Sequence, residues 1–521
     1  MFVVELIQSL ALGATHHPLE FFLEFGALAV FFYFLANEVV RLRARLPGWH
    51  GPKGLPVVGN LRQLGGNASQ KYREWAKEFG PVYQVQLGNL PVLVVNTAAA
   101  AKVVFGNNSQ ATASRPELYT FHKIVANTAG TTIGTSPYNE SLKRRRKGAA
   151  SALNRPSIET YIPHLDLETR DFLKDALGYG KAGALAIDPL PLVQRLSLSL
   201  AVTLNWGARF PSHDDGLFKE IITVEGEISR TRSVTDNVQD YIPLLRLNPF
   251  SPGKRNALEM RSRRDKYLSK LNGDLEEKMR SGTHEPCIQA NVMLDEEAKL
   301  NSVELTSISL TMLSAGFETF TAVSSWGIAF LATHPEVQQR AFDAIRETYD
   351  ETNPLCDAYD DQTIPYIRAF VRECLRYFTV LRLSLPRSTN KEFVYEGRLV
   401  PKGTMVFLNS WACNMDEEVW HDGEVFRPER WLENPEAPMF TYGMGYRMCA
   451  GTMLANRELY ITFLRMVASF ELSSTAEIDT DPVTGAADLT NLIITPARYK
   501  VTFTPRDETA LRASLDAESA H

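Results

Sequence analysis

The chain has 521 residues, of which 44% are hydrophobic and 22% are charged. This balance is close to that of soluble globular proteins, and it excludes a disordered chain, a collagen-like repeat and a polytopic membrane protein. Asp and Glu outnumber Lys and Arg by 61 to 55, a net charge of −6, so nucleic-acid binding is not expected. The five cysteines are widely spaced and odd in number, which indicates reducing surroundings and no disulfide framework.

The first feature along the chain is an apolar run near the N-terminus. Residues 21–40 are long enough to span a bilayer if the few polar residues of the run lie near its interfaces. No Lys or Arg precedes the run, while Arg41, Arg43 and Arg45 follow it. This asymmetry predicts a single anchor with everything after it in the cytosol. A buried core helix and an interfacial helix are the alternatives.

The rest of the chain predicts one mainly α unit with small β-sheets, an α+β fold. Prolines 47, 52 and 56 predict a stiff hinge at its start, and two β-rich runs around Gly88-Asn89 predict a hairpin. Residues 301–333 form the longest helical pattern, and strand patterns return after residue 387. We therefore assign residues 1–46 to the anchor and its basic flank, 47–505 to a catalytic domain, and 506–521 to a polar, mobile tail.

The strongest chemical signal is the segment FTYGMGYRMCAG, residues 440–451. Its glycines allow the backbone to approach a flat partner closely. Cys449 lies where the loop is expected to become a helix, and backbone N–H groups at a helix start favour a thiolate. Arg447 is placed to meet an anion beside the same partner. A haem supplies an iron for the thiolate and propionates for the arginine. A buried structural cysteine is the alternative.

This segment resembles the haem-binding loop of the cytochrome P-450 superfamily, F-x-x-G-x-G-x-R-x-C-x-G, at every position. The matching residues are Phe440, Gly443, Gly445, Arg447, Cys449 and Gly451. Three further family motifs follow the same order along the chain: A-G-x-E-T at 315–319, E-x-x-R at 373–376, and an F-x-P-x-R-F segment at 426–431 that ends in Trp431 instead of Phe. The resemblance covers residues 50–505.

The resemblance implies the cytochrome P-450 fold and a haem-thiolate monooxygenase, with haem b bound through Cys449 as axial ligand of the iron. Electrons would come from NADPH through a separate NADPH–cytochrome P-450 reductase, since the chain has no dinucleotide-binding G-x-G-x-x-G on a strand. It also implies an endoplasmic reticulum location with the catalytic domain in the cytosol.

Two motifs carry structural and catalytic expectations. Glu373 and Arg376 share one helix face, and by resemblance Arg430 completes a structural Glu–Arg–Arg cluster; an exposed helix pair is the alternative. Glu318 and Thr319 are expected to relay protons to the dioxygen site, beside a haem contact at Ala315. A threonine bonded back to its own helix carbonyl is the alternative.

Two more arginines are expected to bind the haem propionates. Arg146 lies in the basic run KRRRK, residues 143–147, at the arginine position of the family motif W-x-x-x-R, with Leu142 in the tryptophan position. Arg387 matches a further propionate ligand of the family. The other charges of the run would suit docking of an acidic electron donor; a solvated charge run and a nuclear signal are the alternatives.

The substrate expectation rests on stretches that resemble the fungal phenylacetate-hydroxylase branch: TFHKIVANTAGTTIGTSPYNES, RRRKGAASALNRPS and RYFTVLRLSLPRST. Members of that branch hydroxylate phenylacetate or 3-hydroxyphenylacetate on the ring. Such a small aromatic acid needs an apolar pocket with one cation. Arg382 is the first candidate for this cation, with His122 and Lys123 as alternatives; all three could instead be surface or propionate contacts.

Three other functions stay open on the sequence. The chain could be a related monooxygenase of secondary metabolism with a larger substrate, a haem-thiolate isomerase or dehydratase that uses no dioxygen, or a non-enzymatic binding protein. The intact Glu318-Thr319 pair argues against the second, and intact Cys449 and Arg447 argue against the third.

Overall fold

A computed structural model describes residues 18–233, 237–248, 251–294, 300–350 and 353–517. The first 17 residues of the predicted anchor segment and residues 518–521 of the predicted tail lie outside this range.

Helices make up most of the described chain. The longer ones are α1 Pro18–Arg43, α3 Ala68–Phe79, α5 Glu140–Ala152, α6 Arg155–Tyr179, α7 Leu190–Trp206, α8 Gly216–Arg230, α9 Pro252–Ser281, α11 Ser302–Thr333, α12 Pro335–Arg346, α13 Pro365–Phe378 and α16 Thr452–Ser469. The shorter ones are α2 Leu61–Leu64, α4 Ala98–Ala101, α10 Ile288–Leu294, α14 Ser410–Asn414, α15 Arg430–Glu433 and α17 Glu508–Asp516.

The strands form three small sheets. They are β1 Val82–Leu87, β2 Leu90–Val95, β3 Arg387–Ser388, β4 Phe393–Tyr395, β5 Arg398–Val400, β6 Met405–Leu408, β7 Phe470–Ser473 and β8 Thr502–Pro505. One sheet has the order β1-β2-β6-β3, and β4-β5 and β7-β8 form two-stranded sheets. The predicted hairpin is confirmed, because Leu87 pairs with Leu90 across the turn Gly88-Asn89.

Helix α11 forms the centre of the helical part and confirms the predicted long helix. The side chain of Asn301 accepts a hydrogen bond from the Glu304 amide at 2.9 Å, and the Glu304 carboxylate accepts one from the Asn301 amide at 3.2 Å. This reciprocal cap satisfies two of the amides that have no partner at a helix start. Most of the helix is buried between its neighbours, with Trp326 at its most enclosed part.

Along its apolar length, the N-terminal helix α1 is not covered by any other part of the described chain. Within residues 23–43, an apolar window of 18 residues has mean hydropathy 1.6 and contains no buried residue, and Phe31 and Phe32 are 60% and 56% exposed. The structure therefore excludes the buried core helix and fits a membrane anchor. Arg41, predicted as a basic flank, is buried at the other end, where its guanidinium donates to Gln86 Oε1 at 3.0 Å.

The described part of the predicted tail, residues 506–517, contains the packed helix α17, although the sequence predicted a polar, mobile segment. The Asp507 side chain caps α17 by accepting a hydrogen bond from the Ala510 amide at 2.9 Å. Leu511 is completely buried in the main core. Leu511 and the partly buried Leu515, four residues apart on one helix face, pack this segment against the main core, which its polar composition did not reveal.

Candidate active site at the cysteine loop

Cys449 lies in a recess of the protein two residues before the cap of α16. Among the five cysteines, all of which lie in the described chain, it is the exposed one, while the other four are buried. Its amide donates to the carbonyl of Tyr442 at 2.9 Å, which closes the loop behind it. The structure thus presents this sulfur to a space instead of packing it in the core.

The groups around the Cys449 sulfur have opposing effects on the pKa of its thiol. Cys449 opens onto a space but lies deep in the protein, and this partial desolvation raises the pKa of its thiol, while the Gly451 amide, Thr452 and the charge of Arg146 lower it. A bound metal cation reverses this balance, because a coordinating thiol is deprotonated outright. The N–H and charge donors around Cys449 are those that a metal thiolate needs.

Two glycines of the loop are required by its shape. Gly445 has φ +66°, and a Cβ there would lie 2.0 Å from the carbonyl oxygen of Phe105. Gly443 has φ +72° and lies beside the guanidinium of Arg387. The left-handed backbone favours glycine at both positions, and at Gly445 the close approach of the Phe105 carbonyl also excludes a side chain. Phe440, at the start of the loop, is buried and its amide donates to Asn414 Oδ1 at 2.9 Å.

The Glu373 carboxylate is the centre of a buried cluster on α13. Its two oxygens accept from Arg376 Nη2 at 2.8 Å and Nε at 2.9 Å, from Arg430 Nε at 3.1 Å, and from the Arg427 amide at 2.8 Å. The indole of Trp431 donates a fifth hydrogen bond at 2.9 Å. The tryptophan that departs from the family pattern therefore adds a donor to this carboxylate.

The two arginines of this cluster extend it to the neighbouring loops. Arg376 donates to the carbonyls of Asn414, Gly423 and Val425 at 2.9, 2.7 and 3.2 Å. Arg430 donates to the carbonyls of His421, Asp422 and Val425. Because Glu373 and Arg376 are fully buried, this is a structural brace and not the exposed helix pair.

Four arginines converge on one side of the loop. Arg115, Arg146, Arg387 and Arg447 act on one another's charges, and none pairs with a carboxylate of the described chain. Burial and this mutual repulsion lower the pKa of Arg387 and Arg447 to about 9. So many buried like charges need a bound anion.

The bonding of these arginines leaves donors for such an anion. Arg387 donates from Nη2 to the Met444 carbonyl at 2.5 Å, whereas its buried Nη1 has no partner in the described chain. Arg146 lies 5.3 Å from the ring centroid of Tyr446. The terminal nitrogens of Arg447 donate to the carbonyls of Ala113, Ile133, Gly134 and Ser136. Arg115 also donates to backbone, from Nε to Gly134 and from Nη1 to Leu385 and Pro386. The cluster fits the two propionates of a haem whose iron would meet Cys449.

Helix α11 contributes small residues at its middle. Ala315 and Gly316 are exposed, although the helix around them is mostly buried. Exposed small residues in a core helix indicate an internal space against the backbone. The Thr319 hydroxyl donates to the Ala315 carbonyl at 2.7 Å, which is the back-bonded arrangement that the sequence left open. Burial raises the pKa of the neighbouring Glu318 to about 8.

Two cavities lie among the loops that follow these elements. The larger, about 520 Å³ with its open mouth included, lies between residues 381–386 and 489–494. The smaller, about 350 Å³ on the same basis, lies between residues 115–122 and 385–386. Arg382 lines the larger one; its Nη2 donates to the Pro482 carbonyl, and its buried Nε and Nη1 have no partner in the described chain.

The other two substrate candidates differ from Arg382. His122 lines the smaller cavity, but its ring nitrogens bond to the backbone of Leu118 and to the Thr135 carbonyl, and burial lowers its pKa, so it is neutral at pH 7. Lys123 is 59% exposed and pairs with Glu117 at 2.8 Å. It borders neither cavity.

Sequence reasoning did not identify two arginines of this region. Arg115 belongs to the four-arginine cluster, and Arg232 lines both cavities. The sequence does single out Arg115, because it is the only Lys or Arg between Lys102 and Lys123, and such an isolated basic residue could have been considered as an anion ligand. Arg232 carries no local signal, since it lies in an ordinary polar turn after α8.

Comparisons with known proteins agree with this geometry. A sequence model of the family described as cytochrome P450 matches residues 49–503. The chain is 59% identical to a 3-hydroxyphenylacetate 6-hydroxylase of Emericella nidulans over 503 residues, 96% of this chain and 97% of that protein. It is 40% identical to a phenylacetate 2-hydroxylase of the same organism, over 92% of this chain and 94% of that protein.

A third relative extends the same picture. A cytochrome P450 monooxygenase of Mycosarcoma maydis is 38% identical over 96% of this chain and 95% of its own length. A family match over most of the chain, together with a cysteine loop, a buried glutamate–arginine brace and an arginine cluster fit for a haem, leads to one conclusion: this chain belongs to the cytochrome P450 family and is a haem-dependent monooxygenase.

Proposed function

We propose that this chain hydroxylates the aromatic ring of an aryl acetate, with 3-hydroxyphenylacetate as first candidate and phenylacetate as second. The observation that carries this proposal is the 59% identity, over nearly the whole of both chains, to a protein named for the first reaction. Relatives that share so much sequence keep most pocket-lining residues, which are the ones that select a substrate.

One set of site residues would bind the haem, and a second set would deliver protons. When bound, haem supplies an iron that activates dioxygen, so that one oxygen atom enters the substrate and the other leaves as water. Cys449 would ligate this iron from the loop side, with the Gly451 amide and Thr452 near its sulfur. Arg115, Arg146 and Arg387 would hold the propionates, with Arg447 bracing the loop against residues 113–136.

Glu318 and Thr319 on α11 would supply protons. A pKa of about 8 keeps the Glu318 carboxyl protonated at neutral pH, so it can act as a donor. The Thr319 hydroxyl donates its hydrogen bond to the Ala315 carbonyl. Its oxygen can therefore accept a hydrogen bond from a water. In this arrangement Thr319 orients a water and Glu318 gives the proton.

The electrons are proposed to come from NADPH through a separate reductase that docks on the basic run. Lys143 and Lys147 are exposed there, and Arg144 is 47% exposed although it pairs with Glu304 at 2.5 Å. We place the protein in the endoplasmic reticulum membrane through α1, with the catalytic domain in the cytosol. The exposed apolar surface of α1 supports this placement.

The direct test is a visible-light titration of the purified ferric protein with 3-hydroxyphenylacetate and with phenylacetate. We expect a Soret band that moves to shorter wavelength with either acid, followed by NADPH-dependent ring hydroxylation when reductase is added. A Soret band that neither acid moves, with turnover of neither, would refute the aryl-acetate proposal and favour a larger substrate of secondary metabolism.

A further inference from the structure

Arg232 lies where the two cavities meet. It lies two residues after the end of α8, and its amide donates to the Ser229 carbonyl at 3.0 Å. The cavity lined by residues 381–386 and the cavity lined by residues 115–122 share Arg232 and Pro386. A cation at this junction faces a molecule in either cavity.

The guanidinium of Arg232 has no hydrogen bond to any described residue. Its Nε is buried without a partner, and its carbon lies 5.5 Å from the ring centroid of Phe121. The buried Nε N–H is costly, because it has lost water and gained no partner, and the half-exposed terminal nitrogens remain open to the cavities. The nearby Phe121 ring supplies an aromatic wall beside the charge.

A purely structural role would be to balance the buried acids Glu225 and Glu318, whose charges act on Arg232. Glu225, however, is already bonded to the hydroxyls of Tyr267 and Ser314. Glu318 keeps its proton at neutral pH, since burial raises its pKa to about 8. Neither acid therefore uses the donors of Arg232, which leaves them for a ligand.

We propose that Arg232 is the residue that binds the carboxylate of the substrate and so selects aryl acetates over neutral aromatics. This inference rests on the proposed function. A planar guanidinium with free donors can bind a carboxylate through two parallel N–H···O hydrogen bonds. The charge of Arg232 also reaches Glu318 on α11, so a carboxylate held there lies near the proton-delivering helix.

Arg382, the candidate from the sequence, is less suited to this task. One of its terminal nitrogens is already bonded to the Pro482 carbonyl, and it lines one cavity only. Its charge is acted on by Asp481 and not by Glu318. Arg382 thus remains a contact of the larger cavity, away from the junction.

The experiment compares an acid with its neutral amide on the haem-loaded enzyme. Calorimetric and Soret titrations of 3-hydroxyphenylacetate and 3-hydroxyphenylacetamide are run on the wild type, Arg232→Gln, Arg232→Lys and Arg382→Gln. Arg230→Gln is the matched control, because Arg230 is exposed and only two residues away. The ferrous–carbon monoxide spectrum of each variant checks that haem and thiolate are intact.

We expect Arg232→Gln to weaken acid binding by about thirtyfold or more, since truncating a buried charge partner is costly. Amide binding should change by about threefold or less, and Arg232→Lys should lose less than Arg232→Gln, because lysine keeps the charge without the planar fork. If Arg232→Gln does not bind haem, the test uses Arg232→Lys instead. The ratio of its affinities for the acid and the amide, compared with that of the wild type, then shows whether Arg232 binds the carboxylate.

Two results would overturn the inference in different ways. If the wild type prefers the acid and both Arg232 variants keep the full preference, Arg232 is not the anchor; a preference lost in Arg382→Gln would then assign the role to Arg382. If the wild type binds neither the acid nor the amide, the aryl-acetate function itself fails and this inference with it.

Discussion

Replacing Glu373 by glutamine should destabilise the protein severely while leaving its shape almost unchanged. The wild-type carboxylate accepts five hydrogen bonds, of which three come from two guanidinium groups that are at most 4% exposed. Glutamine removes the negative charge and turns one acceptor into a donor that faces those cations. Breaking a buried ion pair by removing one partner costs about 3–5 kcal/mol.

This cost is a large fraction of a typical free energy of unfolding of about 5–15 kcal/mol. With a slope of about 3 kcal/mol per M in urea, the midpoint of unfolding should fall by about 1 M or more. The measurement is urea unfolding of the haem-loaded protein, followed by tryptophan fluorescence and by the Soret band. Glu373 braces the segments on which the cysteine loop packs, so we expect haem loss to precede the fluorescence change.

The control is Glu424→Gln. Glu424 pairs with Arg73 at 2.7 Å but is 71% exposed, and an exposed pair contributes about 1 kcal/mol or less. A urea midpoint for Glu373→Gln within the error of this control would refute the reasoning. It would mean that Arg376 and Arg430 form other hydrogen bonds with no loss in the free energy of unfolding.

Three further predictions address the arginine cluster, the proton donor and the anchor. Arg115→Leu should speed haem transfer to apomyoglobin by about tenfold or more, as loss of one charge-assisted hydrogen bond implies; a transfer rate like that of the wild type would remove Arg115 from the haem site. For Glu318, the raised pKa means that the folded state binds the extra proton between pH 4.5 and about 8, so stability falls as pH rises through this window. The urea midpoint of Glu318→Gln, relative to that of the wild type, should therefore rise between pH 5.5 and pH 8.5. In the same variant the product formed per NADPH consumed should fall. A difference in urea midpoint that does not change with pH would contradict the buried, protonated carboxyl. Deleting residues 1–36 should release the protein from membranes without loss of stability. Deleting residues 1–46 should cost about 2–4 kcal/mol, because it removes the bonds from Arg41 to Gln86 and from Leu46 to Gln84; equal urea midpoints for the two truncations would show that these contacts are dispensable.

The sequence by itself determined what depends on local patterns. The spacing of the cysteine loop, the i, i+3 pair on α13 and the turn of the β1–β2 hairpin all involve residues within a few positions of one another. Local geometry of this kind follows from backbone sterics and hydrogen bonding, which residue identity encodes directly. Family membership followed from the same local motifs.

The tertiary structure alone decided which distant charges share a site. Arg115 and Arg387 are far apart in the chain, yet both belong to the cluster at the cysteine loop. Lys123 proved to be a surface cation, and Arg232 became the unpaired one at the junction of the cavities. Burial and partnership are set by how helices and loops pack, and a charged residue looks the same in the sequence whether it ends in water or faces a substrate.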